Sequence, residues 1–317
     1  MSFDRIRVHG SEGCRDRAIV FGAPRSGTTF LMRFLNRLPG AECVWGNLFP
    51  VGVAHLAAQE LPAEVREVLQ RSLRGSLTDY LTSRVYHARP PALRKWWISS
   101  RRAGTLPDAA RGRRTEYMLI YKEPFLAFAP QLAYQALPHA RIIYIFRDGR
   151  DVADSLVRSY DVLSDRKLAD LDSNEMMIGR LVGDLYVPWW VAAGDEDAFL
   201  NATPYVRAIW MWREMVTRSK EFLERPEVVA SGRVLQVRYE DLAGDPLAQG
   251  EAIARHLDRE VTPKMAKLLE AMHARSVGIH SRREPAELRE AERLAGAELA
   301  GLAYPLALAA SPATGPS

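Results

Sequence analysis

Apolar positions along this chain follow two periods that alternate. Residues 18–21 form a short unbroken apolar run, the pattern of a strand buried on both faces. From 28 to 38 the apolar residues Phe30, Leu31, Phe34, Leu35 and Leu38 recur at helical spacing, with a tight loop from Gly22 to Gly27 in between. Leu38-Pro39-Gly40 is a stop signal, and 41–45 is a second short strand. Residues 50–70 predict one or two helices interrupted near Leu61-Pro62, and 76–86 another that ends before Pro90-Pro91. Strands follow at 117–121, 141–146 and 233–237. Helices are expected at 126–137, 151–160 and from Pro204 to about Glu224, the last with Thr203 as N-cap and a core stripe of Ile209, Trp212, Met215 and Val216. The remainder to about 309 reads as helical. This alternation predicts an α/β fold with a central parallel sheet flanked by helices, whose ligands sit at the carboxyl ends of the strands.

The 317 residues are enough for one large core. The expected organisation is a flexible lead-in at 1–16, a single domain over 17–309 and a disordered tail at 310–317. The hydrophobic fraction of 47% and charged fraction of 26% are ordinary, and a net charge of +4 does not define a nucleic-acid binder. Two cysteines, Cys14 and Cys43, give neither a disulfide framework nor metal-ligand spacing. No apolar run reaches the roughly 18 residues of a membrane span, and the N-terminus lacks a secretory h-region, so the expectation is a soluble cytoplasmic protein.

Two segments break the alternation. Seven Lys or Arg residues lie between 94 and 114 around Trp96-Trp97, which reads as a solvated loop or as a funnel for an anion. Nine acids against three bases fill 161–200, with Tyr186, Trp189 and Trp190 nearby. An acidic surface helix pair and an inserted lid over 161–203 both fit that pattern; the lid would bind the acceptor of a reaction, and its acids would tolerate a cationic one.

Strand, Gly-bounded loop and helix N-terminus make an anion site at 22–29, because loop amides and the helix dipole point at the ligand. The glycine spacing is that of a P-loop, but Thr28 stands where a Walker lysine would be and the loop cation is Arg25. Such a loop is poorly suited to ATP chemistry and still cradles an anion, to which Arg25 can donate bidentate hydrogen bonds.

Pro24-Arg-Ser-Gly-Thr-Thr29 resembles the 5′-phosphosulfate loop of sulfotransferases that use 3′-phosphoadenosine 5′-phosphosulfate (PAPS). Phe146-Arg-Asp-Gly-Arg-Asp-Val-Ala-Asp-Ser155 resembles the same family's 3′-phosphate motif, and Arg238-Tyr-Glu-Asp-Leu242 its Tyr-Glu-Asp-Leu segment. The resemblance implies a P-loop-like sulfotransferase fold and an enzyme that moves a sulfuryl group from PAPS to a hydroxyl or amine, leaving adenosine 3′,5′-bisphosphate and needing no metal. It implies Arg25, Ser26, Gly27, Thr28 and Thr29 around the 5′ end, with Lys122 as a second catalytic cation beside Arg25. Arg147 and Ser155 are implied at the 3′-phosphate, and Tyr239 near the adenine or simply packed beneath Leu242. His280, Arg282 and Arg283 are weaker late-chain candidates. The Ala/Arg/Leu-rich composition points to a GC-rich bacterial genome, where the acceptor would be a small molecule, a glycolipid or a secondary metabolite rather than a nucleic acid.

The general base departs from the family pattern. Small-molecule members carry a His two residues after the strand-end Lys, where this chain has Pro124; others carry a Glu at positions that are Gly46 and Asn47 here. His55, with an imidazole that titrates near neutrality, is the leading replacement, alongside Glu123, Glu42 and His87.

Overall fold

The computed structural model describes residues 14–39, 41–45, 52–81, 117–170, 178–272 and 274–306. Its strands among these residues are β1 (Cys14–Phe21), β2 (Ala41–Trp45), β3 (Tyr117–Lys122), β4 (Arg141–Phe146), β5 (Gly179–Val182), β6 (Leu185–Pro188) and β7 (Val234–Arg238). Five of them form one sheet in the order β2-β3-β1-β4-β7, every neighbouring pair parallel. The chain leaves β1 toward β2 and β3, then crosses back to build outward through β4 and β7. The order therefore reverses between β1 and β4, and a crevice opens at the carboxyl ends of strands at such a point.

Successive side chains of a strand face opposite ways, so each central strand supplies two cores. Ile19, Phe21, Tyr121, Ile142 and Tyr144 pack with Ile209, Trp212 and Met215 of the long helix Pro204–Leu223. Val20, Ile120, Ile143 and Ile145 pack with Leu31 and Leu35 of helix α1 (Thr28–Leu35) and with Ile253, Met265 and Leu269 beyond β7. Ile19, Val20, Ile142 and Ile143 are fully buried, as the uninterrupted apolar runs require.

Some boundaries differ from the apolar pattern. Strand β1 begins four residues before its apolar run, because ladder pairing with β3 reaches back to Cys14 opposite Tyr117. Helix α2 (Ala63–Leu81) runs unbroken where the sequence showed two pieces; Gly75 lies inside it and is tolerated there. The helix expected at 126–137 is instead a 3₁₀ turn, Pro124–Phe128, followed by a helix Pro130–Ala136, because Pro130 starts a new helix rather than continuing one.

The segment after residue 161 has two short helices, Asp165–Leu168 and Glu196–Asn201, but is more than a helix pair. It carries the antiparallel hairpin β5-β6, and Val187, Trp190, Val191 and Phe199 are buried in the main core. Buried Arg207 holds it down, donating to the carbonyl oxygens of Leu163, Phe199 and Leu200 and to Asp165. Among the described residues no helix is long and apolar enough to cross a membrane.

Candidate functional site

Strand β1 runs into a loop whose backbone is crowded by its neighbours. A Cβ on Gly22 would stand 1.9 Å from the carbonyl oxygen of Ile145, and one on Gly27, at φ 97°, would stand 2.4 Å from the Tyr239 ring. The Gly27 carbonyl accepts from Leu31 N–H at 3.0 Å, so the helical ladder of α1 starts at that residue. The amides from Gly27 to Phe30 belong to the first helical turn, which has no carbonyl of its own to serve them, while the Ser26 N–H ahead of them donates to the Ala23 carbonyl at 3.1 Å. Ser26 is fully buried and its Oγ has no protein partner.

The second motif follows β4. Helix α3 (Gly149–Tyr160) is capped by Asp148, whose carboxylate accepts from the Arg150 N–H at 2.9 Å. Arg150 pairs with both oxygens of Asp148 and reaches Glu292 at 2.7 Å, a buried triad that fixes the turn against the helix Pro285–Gly301. Arg147 is 4% exposed. It donates to the Arg25 carbonyl at 3.2 Å, to Asp151 at 3.2 Å and to the Ser276 carbonyl, and lies 4.7 Å above the Tyr239 ring. Its Nε–H is buried without a protein acceptor. From the loop, Arg25 donates through Nε to Ser155 Oγ at 2.8 Å and packs on Tyr160, so the two motifs are joined side chain to side chain.

A cavity of about 520 Å³ lies between these parts, and Arg25, Gly27, Thr28, Thr29, Lys122, Arg147, Ser155 and Tyr239 all border it. Its charged lining among the described residues is cationic: Arg25, Lys122, Arg147 and Arg158. Ser26, predicted beside them, does not line the cavity. The spare buried Arg147 Nε–H, the cationic wall and the glycine cradle are what a phosphate-bearing ligand needs, so the donor set fits a nucleotide with anionic groups at both ends.

Other predicted residues are not brought there. Arg283 pairs with Asp154 at 2.7 Å and packs over Tyr205, Arg282 is solvent-exposed, and neither lines the cavity. His280 donates to Asp151 instead. The His55 ring lies 4.8 Å from the Trp189 ring, tilted at 50°, and is not among the lining residues; partial burial lowers its pKa. Glu123 is 3% exposed and is not among the lining residues, although its neighbours Lys122 and Pro124 are. Burial pushes its carboxyl up to about 7, against hydrogen bonds from Phe125 N–H and Tyr121 and the charge of Lys122. The Glu42 side chain, Gly46, Asn47, His87 and the basic segment 94–114 lie outside the described residues. Asp161, Asp165 and Glu196 of the acidic segment pair with Arg166, Arg207 and Arg180, which leaves the cationic-acceptor expectation without support at the cavity.

Fold and site define a P-loop-like α/β protein with a cation-lined cavity at a strand-order reversal. Residues 18–179 match the profile of the sulfotransferase family, half of the chain, and the chain belongs to that family. The match spans the loop, Lys122, Arg147 and Ser155, and stops short of Tyr239. Among solved structures, the sulfotransferase domain from the curacin biosynthetic pathway is 16% identical, with 92% of this chain and 98% of that one covered at a TM-score of 0.48. The sulfotransferase domain from the Synechococcus PCC 7002 olefin synthase is 19% identical over 93% and 96%, TM-score 0.46. Sulfotransferase STF9 from Mycobacterium avium is 14% identical over 96% and 80%, TM-score 0.47. No curated protein sequence matches this chain.

Proposed function

We propose that this chain transfers the sulfuryl group of PAPS to a hydroxyl or amine of a small-molecule, glycolipid or secondary-metabolite acceptor. One observation carries the reading: three motifs spread from residue 22 to residue 239 border a single cavity whose described charges are all positive. The loop with Gly27, Thr28 and Thr29 suits the 5′-phosphosulfate. Arg147, with its spare Nε–H, and Ser155 suit the 3′-phosphate that distinguishes PAPS from ATP. Tyr239 suits the wall beside the base.

In transfer, the sulfur–oxygen bond to the donor phosphate breaks as a bond to the acceptor oxygen or nitrogen forms, and the acceptor loses a proton. Negative charge then builds on the departing phosphate. Cations fixed in advance at that point lower the barrier, a role that suits Lys122, which ends β3 and borders the cavity.

The test is transfer of labelled sulfuryl from PAPS to a panel of phenols, alcohols, amines and glycolipids. The expected result is label in at least one acceptor, reduced roughly 100-fold in Lys122→Ala. Label retained in PAPS with every acceptor, or transfer indifferent to that substitution, contradicts the reading.

A further inference from the structure

Asp151 is 1% exposed and does not line the cavity, yet it is bonded to Arg147, which does, and to the turn that carries the lining residues Ser276 and Ile279. Its Oδ1 accepts from the backbone N–H of His280 at 3.0 Å and from His280 Nδ1 at 2.6 Å. Its Oδ2 accepts from the Gly278 N–H at 2.8 Å and from Arg147 at 3.2 Å. Four donors fill the roughly four lone-pair sites of a carboxylate.

The turn those donors come from is fastened at its other end too. The Ser276 carbonyl accepts from the same Arg147 nitrogen that meets Asp151, and the Ser276 hydroxyl is 2.6 Å from the Tyr239 hydroxyl. Ser276 and Ile279 are cavity wall. Gly278, at φ 74°, allows the reversal that brings two backbone N–H groups onto one carboxylate.

We propose that Asp151 is a positioning residue for the nucleotide site: it ties the 276–280 turn to Arg147 and thereby fixes how the guanidinium faces the 3′-phosphate. The inference rests on the PAPS reading above. One Arg147 nitrogen is fully occupied by Asp151 and Ser276, the other terminal nitrogen gives one N–H to the Arg25 carbonyl, and the stack on Tyr239 sets the plane, so Nε–H and one terminal N–H are what remain for a ligand. Burial works against the Asp151 charge, but the His280 and Gly278 hydrogen bonds and the Arg147 charge outweigh it and hold the carboxyl below its ordinary range. The carboxylate therefore stays ionised wherever the protein is folded near neutrality.

The full chain is titrated calorimetrically with adenosine 3′,5′-bisphosphate and with 5′-AMP, and the ratio of the two affinities reports the 3′-phosphate contact alone. A wild-type protein that shows no preference overturns the PAPS reading itself. Given that preference, Asp151→Asn is expected to weaken the bisphosphate roughly 10- to 100-fold, the scale of a lost charged hydrogen bond, and 5′-AMP by no more than about threefold. Equal losses for both ligands, or none, overturn the inference. His280→Ala removes one tie and leaves the backbone bonds, so it serves where Asp151→Asn does not fold. It is expected to lower the ratio by roughly threefold or more, and His280→Asn, whose amide N–H replaces Nδ1–H, is expected to restore it. An unchanged ratio in His280→Ala overturns the inference as well.

Discussion

Gly27 is held by its backbone angle and by its neighbour at once. At φ 97°, with the Tyr239 ring 2.4 Å from where a Cβ would be, Gly27→Ala both strains the loop and pushes away a cavity wall. Its expected effect is a loss of roughly 1–3 kcal/mol in stability together with weaker nucleotide binding, measured by thermal melts with and without adenosine 3′,5′-bisphosphate. Glu123 makes a prediction in pH. Its folded pKa of about 7 lies above the ordinary 4.5, so between those values the folded protein holds a proton that the unfolded chain has released. Stability attributable to Glu123 is therefore full below about pH 4.5 and declines as pH rises toward 7, by about 3 kcal/mol at most. Glu123→Gln should flatten that decline, leaving Tm at pH 5 nearly unchanged and raising it at pH 8; a lowered Tm at pH 8 would count against the assignment. Motif residues such as Arg25, Lys122, Arg147 and Ser155 were readable because each sits in a contiguous signature. The role of Asp151 was not, since its partners Gly278 and His280 lie 127 and 129 residues away and nothing local joins them.

At the scale of elements, two glycines make opposite tests. Gly75 lies inside helix α2 with no atom within 4 Å of a would-be Cβ. Gly75→Ala should raise stability by about 0.5–1 kcal/mol, where Gly27→Ala lowers it; a lower melting temperature for Gly75→Ala would contradict the unbroken helix. Arg207 makes a third test at this scale. It is 2% exposed and serves the carbonyls of three residues, so Arg207→Ala should cost roughly 3 kcal/mol or more and loosen 161–203, read as increased hydrogen exchange there. Unchanged exchange would show that the hairpin is held by its aromatic packing alone. The hairpin had a sequence signal that the acidic count concealed: Gly183-Asp184 between Arg180-Leu-Val182 and Leu185-Tyr-Val187 is a two-residue turn flanked by β-formers. Charge excess marked the segment as surface, yet Asp161, Asp165 and Glu196 pair with Arg166, Arg207 and Arg180, and Trp190 and Phe199 are buried in the core.

For the whole molecule, one topological feature organises the rest. Reversal of the strand order between β1 and β4 places the ends of β1, β3, β4 and β7 side by side, and each carries one part of the site: the 22–29 loop, Lys122, Arg147 and Tyr239. Sequence periodicity was sufficient for this level, because parallel strands buried on both faces announce themselves as unbroken apolar runs such as 18–21 and 141–146. It was not sufficient for the proton acceptor. His55 and Glu123 were chosen for their chemistry, and packing set the first against Trp189 and the second off the cavity wall. The central claim is that the cavity recognises a nucleotide carrying phosphates at both the 5′ and 3′ positions. Calorimetric titration of the full chain with adenosine 3′,5′-bisphosphate, set against ATP with magnesium, tests it most directly. The account predicts tight binding of the bisphosphate, weakened roughly 100-fold in Arg147→Ala, and little binding of ATP. Binding of ATP–magnesium in preference to the bisphosphate, untouched by Arg147→Ala, would contradict it.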